Sequence, residues 1–173
     1  MMTSTPKKLT RLLTGKSRAS LTRRPAPDKW SIGEILAHLA DAELSFSWRI
    51  RLMLEKNGTA IQAYDQDAWA AFSHYPKLDP RLSLDAFRTQ RERNVQLLRV
   101  IPKEIWDNYG MHEERGRETV ARLAEMMAGH DINHLRQVEG MVTGSKKGPR
   151  GGQKSDVRGQ KRYRKKRGAR GWG

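Results

Sequence analysis

From Ser31 to about Lys56 the apolar residues recur at spacings of three and four, a pattern that folds a long helix with one broad buried face. Ile32, Ile35, Leu36, Leu39, Phe46, Ile50, Met53 and Leu54 carry that pattern. Ser31-Ile32-Gly33-Glu34 opens the segment as a capping box, in which the Ser31 hydroxyl and the Glu34 carboxylate satisfy free backbone N–H groups. Asn57-Gly58 closes it. His38 lies at the edge of the apolar face, between Ile35 and Ala42, and Glu34, Asp41 and Ser45 share its stripe. A polar lane therefore runs beside the apolar one.

Three further segments read the same way. Residues 5 to 14 form a short first helix: Thr5 can cap it, Pro6 suits the first helical position, Leu9, Leu12 and Leu13 make a face, and Gly15 ends it. Ser83 can cap a third helix reaching Val100, before Pro102, with Leu84, Phe87, Leu97 and Leu98 apolar. Thr119 can cap a last helix to about Val142, ended by Gly144, with Val120, Leu123, Met127, Val138 and Met141 in its stripe. Arg24-Pro25-Ala26-Pro27-Asp28 is a stiff connector. Residues 57 to 82 are less regular, with a turn or two of helix at Asp67–Phe72, and form a long crossover connection. No alternating Val/Ile-rich run of strand type occurs, so an all-α four-helix bundle over residues 1–144 is expected.

The last helix places His130, His134 and Gln137 on its inward stripe, where Leu or Val is usual and where polar groups need partners. His130 and His134 are four apart and stack one turn above the other. With His38 from the second long helix they can make a three-nitrogen set that leaves a fourth position for water or substrate. By spacing alone a His-x-x-x-His pair is more often simply packed or exposed. Asp131 points about 100° away from His130, which disfavours it as a ligand. His74 and His112 read as surface residues in loops. Trp30, Trp69 and Trp106 flank helix boundaries, where an aromatic seals a core or walls a pocket. Arg88, Arg91 and Arg93 read as a solvated face.

The formal charge of +15 invites a nucleic-acid reading, but its distribution is uneven. Residues 1–28 carry seven Lys/Arg against one acid, residues 145–173 twelve against one, and residues 29–144 fifteen against seventeen. The body is slightly acidic and the basicity lies at the ends. Residues 145–173 mix Gly, Lys and Arg with almost nothing apolar, so a disordered tail is expected. Its charge would attract phosphate backbones nonspecifically, and Tyr163 and Trp172 could stack on bases. Without cysteine there is no disulfide framework and no thiolate nucleophile. The absence of a signal-type apolar run or a stretch of some eighteen apolar residues points to a cytoplasmic protein without membrane contact.

The chain resembles the DinB-like family of bacterial four-helix-bundle proteins over roughly residues 19 to 142. The resemblance is carried by Pro25, Lys29-Trp30-Ser31, Glu34, His38-Leu39, Asp41 and Glu43, by the Trp106 region, by Gly116-x-x-Thr119, and by His130-Asp131-x-x-His134-x-x-Gln137. It implies a metal site of one histidine on the second helix and two on the fourth, which fall on His38, His130 and His134. It also implies activities ranging from thiol-dependent enzymes, such as bacillithiol S-transferases and mycothiol-dependent isomerases, to metal-dependent hydrolases. The family's first helix is usually longer than the residues before Gly15 allow.

Three neutral imidazoles suit Zn2+, Ni2+ or Fe2+, and an open position is the catalytic arrangement. A metal-dependent hydrolase, or a transferase using an exogenous low-molecular-weight thiol, is therefore the expected function, acting on a small molecule. Glu34 and Asp41, one turn either side of His38, are the candidate catalytic groups, although the capping box already accounts for Glu34 and a solvated helix position for Asp41. Gln137 is expected to line the pocket. The competing expectation is a non-catalytic homodimeric bundle whose basic tail binds nucleic acid.

Overall fold

The computed structural model describes residues 2–144, and the expected basic tail over 145–173 lies outside the described residues. Four helices make the bundle: α1 (Thr5–Leu13), α3 (Ile32–Glu55), α5 (Pro80–Val100) and α6 (Val120–Thr143). Two shorter ones, α2 (Arg18–Thr22) and α4 (Gln66–Phe72), lie in the connections. The long α3 packs on both α5 and α6, and the short α1 closes the bundle against the same two helices. Although α1 has only nine residues, Leu9 and Leu13 are buried and Leu21 of α2 joins them in one apolar cluster, so two short helices do the work of one long one.

The helix starts follow their local chemistry. Ser31 accepts from the Glu34 N–H at 3.2 Å while Glu34 Oε2 accepts from the Ser31 N–H at 2.9 Å, the reciprocal pair expected of a capping box. Thr119 Oγ1 accepts from the Arg122 N–H at 3.1 Å at the start of α6, and Gly144, with φ +66°, ends it in the left-handed conformation that glycine adopts without strain. The start of α5 differs from expectation. Asp79 is the cap, accepting from Arg81 and Leu82, and Pro80 is the first helical residue. Asp before Pro outcompetes Ser83, whose hydroxyl instead donates back to the Asp79 carbonyl at 3.0 Å.

An all-α architecture omits one feature. The mostly helical chain also carries a three-stranded sheet in the order β1 (Thr59–Ile61), β2 (Tyr109–His112), β3 (Gly116–Thr119). β1 runs parallel to β2, and β2 and β3 form an antiparallel hairpin in the stretch read as a loop between α5 and α6. Strands of three or four residues leave no periodic signal. They are held by pairing and by Gly110, where any Cβ would collide with the Ile61 side chain across the parallel ladder. His112, expected at the surface, is 3% exposed on β2, with its Nδ1 accepting from the Glu114 N–H at 3.2 Å. His74 is exposed, as expected, with φ +50°. No described helix is long and apolar enough to cross a membrane.

Two apolar clusters fill the bundle. One gathers Leu9, Leu13, Leu21, Ile35, Leu36, Leu39, Phe87 and Val138; the other gathers Phe46, Ile50, Met53, Ile61, Leu98, Val120, Leu123 and Met127. Trp30 packs against the first and Trp106 against the second. A buried polar layer lies between them along the helices. Arg91 of α5, expected on a solvated face with Arg88 and Arg93, is 1% exposed, whereas those two are exposed. Its guanidinium grips both carboxylate oxygens of Asp131 on α6, with Nη2 to Oδ1 at 2.9 Å, and donates from Nε to Glu43 Oε2 on α3 at 2.9 Å. Asn94 donates to the other Glu43 oxygen at 2.7 Å. Only this contact set reconciles a buried arginine with its desolvation.

Arg91→Met is expected to lower stability by about 3–5 kcal/mol, because it leaves two buried carboxylates without their cation, whereas Arg88→Met changes it by less than about 0.5 kcal/mol. Urea unfolding of both variants checks this. Burial pushes the His112 imidazole down to about 4, with Arg115 and Arg49 adding to the effect. Between about pH 6.5 and about pH 4 the unfolded chain therefore binds a proton that the folded chain refuses, and stability falls as pH drops through that window. His112→Gln should lose less stability over the same interval, by on the order of 2 kcal/mol in parallel urea titrations.

Candidate metal centre

His38 sits two turns into α3, and the Ser31 cap together with the buried Ile35, Leu36 and Leu39 sets the rotation that turns it inward. It is 2% exposed. His130 and His134 project from α6 toward it, and Asp131 between them is anchored by Arg91. That anchor fixes both the height and the rotation of α6. Ligand nitrogens of all three imidazoles lie within 4.8 Å of one another. The ring centroids are 4.9 Å apart for His38–His130 and His38–His134, and 4.5 Å for His130–His134. Asp131 belongs to the ion-paired layer rather than to this set, in keeping with its 100° offset.

The electrostatics keep these rings neutral. Burial pushes His38 down to about 3, with His134 adding to it. Burial also holds His130 well below the ordinary histidine value, with His134, His38 and Arg91 contributing. His134 is lowered by burial against the opposing hydrogen bond that it makes to Gln137. Neutral imidazoles offer lone pairs, which is the state that metal binding needs. Beside the cluster, Arg91 disfavours positive charge at His130 whereas Asp131 favours it at His134.

The hydrogen bonding around the rings is incomplete. His38 Nε2 and His130 Nε2 are 2.8 Å apart, so one must donate to the other, and His130 Nδ1 is buried with no hydrogen-bond partner. A buried ring nitrogen without a partner calls for a reason. His134 is better ordered: its Nδ1 lies 3.1 Å from Gln137 Oε1, which accepts its proton and leaves the Nε2 lone pair free. Ligands at zinc distances in a tetrahedron lie about 3.3 Å apart, so the closest pair would part by about half an ångström to admit an ion. Both the donor types and this small adjustment fit a divalent metal.

The other singled-out residues fall into place around the cluster. Glu34 is fully engaged by Ser31 and by a fork from Arg24, whose Nε lies 3.0 Å from Oε2. Burial raises this carboxyl, but the bonds from Arg24 and Ser31 outweigh it and lower it overall. Asp41 accepts the Tyr75 hydroxyl proton at 2.6 Å. Trp30 tilts over His38 at 5.1 Å between centroids and meets Tyr75 edge-on at 6.1 Å, so it both closes the core and walls the site. Trp69 lies against Tyr64, with ring centroids 4.5 Å apart and the planes tilted by 39°. Sequence reasoning did not single out Tyr64, Tyr75 or Arg49. For Arg49 a signal was present, since it stands eleven residues after His38 and so returns to the same face of α3.

Comparison with known proteins agrees with this fold. A Bacillus subtilis structure, YfiT, described as a four-helix bundle of unusual topology, superposes with a TM-score of 0.76 over 82% of each chain at 21% sequence identity. Among curated relatives, a protein of Oceanobacillus iheyensis is 27% identical over 110 residues, covering 64% of this chain and 63% of its own length. One from Halalkalibacterium halodurans is 21% identical over 138 residues, 80% of each. YfiT itself is 26% identical over 111 residues, 63% of this chain and 62% of its own. All three are named as candidate metal-dependent hydrolases. The match thus spans less than two thirds of the Oceanobacillus and Bacillus relatives. Residues 1–138 match the family model described as the DinB superfamily, and the chain belongs to that superfamily.

Proposed function

We propose that this protein is a metal-dependent hydrolase of a small molecule, with a divalent metal held by His38, His130 and His134. The observation that carries the reading is the convergence of three neutral imidazoles, one buried and two half-buried, from two helices on one point. Hydrolysis is favoured over thiol transfer because the curated relatives are named for it. An imidazole-bound divalent metal supplies Lewis acidity and brings the deprotonation of water near neutral pH. Zinc, nickel and ferrous iron all suit the donor set.

The chain's own groups supply orientation and proton handling. Gln137 Oε1 holds the His134 tautomer, so the ring presents Nε2 to the centre. Trp30 shields His38 and limits access of bulk water to that side. Glu34 is committed to Arg24 and the Ser31 cap, which leaves Asp41 as the carboxylate available to take a proton. One of its oxygens, Oδ2, is occupied by the Tyr75 hydroxyl, and Oδ1 is the atom assigned to receive it.

Elemental mass spectrometry of the purified chain without a histidine tag tests the reading. About one metal per chain is expected, lost in His134→Ala and in His38→Ala. Gln137→Ala should retain the site with affinity roughly ten- to a hundredfold weaker. A wild-type chain that carries no metal and takes up no zinc, nickel or iron would overturn the proposal.

A further inference from the structure

Arg49 is buried to 8% exposure, yet no carboxylate lies within ion-pair distance of it among the described residues. The contrast with Arg91, buried to a similar depth and matched by two carboxylates, is direct. Nη2 of Arg49 donates to the Gln62 carbonyl at 3.0 Å. The same nitrogen is 3.4 Å from His112 Nε2, but a neutral imidazole accepts at only one ring nitrogen. The shorter bond from the Glu114 N–H already uses Nδ1, so Nε2 carries the proton and offers Arg49 nothing. Glu118 is paired by Arg115, with Nη2 to Oε2 at 3.1 Å, and reaches Arg49 only through longer-range attraction. One carbonyl and the face of the Tyr64 ring, 5.5 Å from the guanidinium carbon, are what remain. The other nitrogens of the fork donate to no protein group among the described residues, and none of them is sealed from solvent, so they are open to a ligand.

The position of this fork relates it to the histidine cluster. Eleven residues of helix rotate by about 20° net and rise about 16 Å, so His38 and Arg49 share one face of α3 about three turns apart. Between them Asp41 and Ser45 continue the polar lane visible in the sequence. The segment from Tyr64 to Tyr75 runs back along that lane: Tyr64 lies over Arg49, and Tyr75 bonds Asp41. Its helix, α4, buries none of its residues, so the cover over the lane is lightly held.

We infer that Arg49 receives the anionic end of the substrate, and that the substrate class is a small amide or ester bearing a carboxylate. The inference rests on the hydrolase reading above for the reacting end, while the anion site stands on Arg49 alone. A planar carboxylate matches the guanidinium fork in two parallel hydrogen bonds, which a phenol or carbonyl cannot do. Tyr64 and Trp69, packed ring against ring, would cover the bound group and keep water from it.

The test uses the full-length chain without metal, so that the triad cannot take the anion. Butyrate and the isosteric neutral butyramide are titrated at constant ionic strength, with Tyr and Trp fluorescence as the readout and circular dichroism as the check of folding. Wild type should bind butyrate at least about tenfold more tightly than butyramide. Arg49→Gln should abolish that preference, and Arg49→Lys, which keeps a charge without the fork, should retain part of it. Arg49→Gln should also melt at or above the wild-type temperature, since it removes a poorly matched buried charge. Equal binding of the two probes by wild type, or an undiminished preference in folded Arg49→Gln and Arg49→Lys, overturns the inference. Zinc uptake by the same variants reports the triad separately, so loss of the metal reading and loss of the anion site are distinguishable.

Discussion

The Arg91 guanidinium, clamped between Glu43 and Asp131, is the interaction on which the rest of the molecule depends. It joins three of the four bundle helices at one height, and its partners have fixed geometry: two oxygens of Asp131 on one side, one of Glu43 on the other. Apolar side chains on helices can slide past one another at modest cost, because dispersion and hydrophobic burial are non-directional. A forked ion pair at less than 2% exposure cannot, since each displaced hydrogen bond leaves a buried charge exposed to low dielectric. The layer therefore specifies register between two otherwise permissive apolar clusters.

That register is what makes the histidine cluster. Asp131 is the residue next to His130, so the anchor that fixes one sets the other, and His134 follows one turn on. The cluster needs α6 placed to within a fraction of an ångström relative to His38, a tolerance that hydrophobic packing alone does not impose. Structure and chemistry are thus divided between neighbouring residues on one helix: Asp131 faces α5 to hold the bundle, and the two imidazoles face α3.

The helix α3 carries the opposite burdens along its length. Its first turns are buried on every side, with Glu34, His38 and Glu43 each matched to a particular partner. Further on, Leu44 and Trp48 are exposed, at 52% and 63%, while Arg49 is buried without a carboxylate partner among the described residues. A residue that breaks the rule obeyed by every other buried charge in the bundle is where stability has yielded to something else.

The sequence by itself determined the four bundle helices, the caps at Ser31 and Thr119, and the histidines on an inward stripe. Capping pairs such as Ser31 with Glu34, and a periodic apolar stripe, are local signals that act within a few residues, and histidines on an inward stripe are conspicuous there. It also indicated the polar lane of α3. Only the tertiary structure decided which polar residues were structural. Arg88, Arg91 and Arg93 are alike as letters, and the presence of Glu43 and Asp131 opposite one of them is what separates it. The same holds for His112, buried by a sheet whose strands are too short to leave a pattern, and for Arg49, whose significance lies in a carboxylate that is missing. Pairings across tens of residues depend on how helices cross, and that is set by the packing of the whole bundle rather than by any one segment.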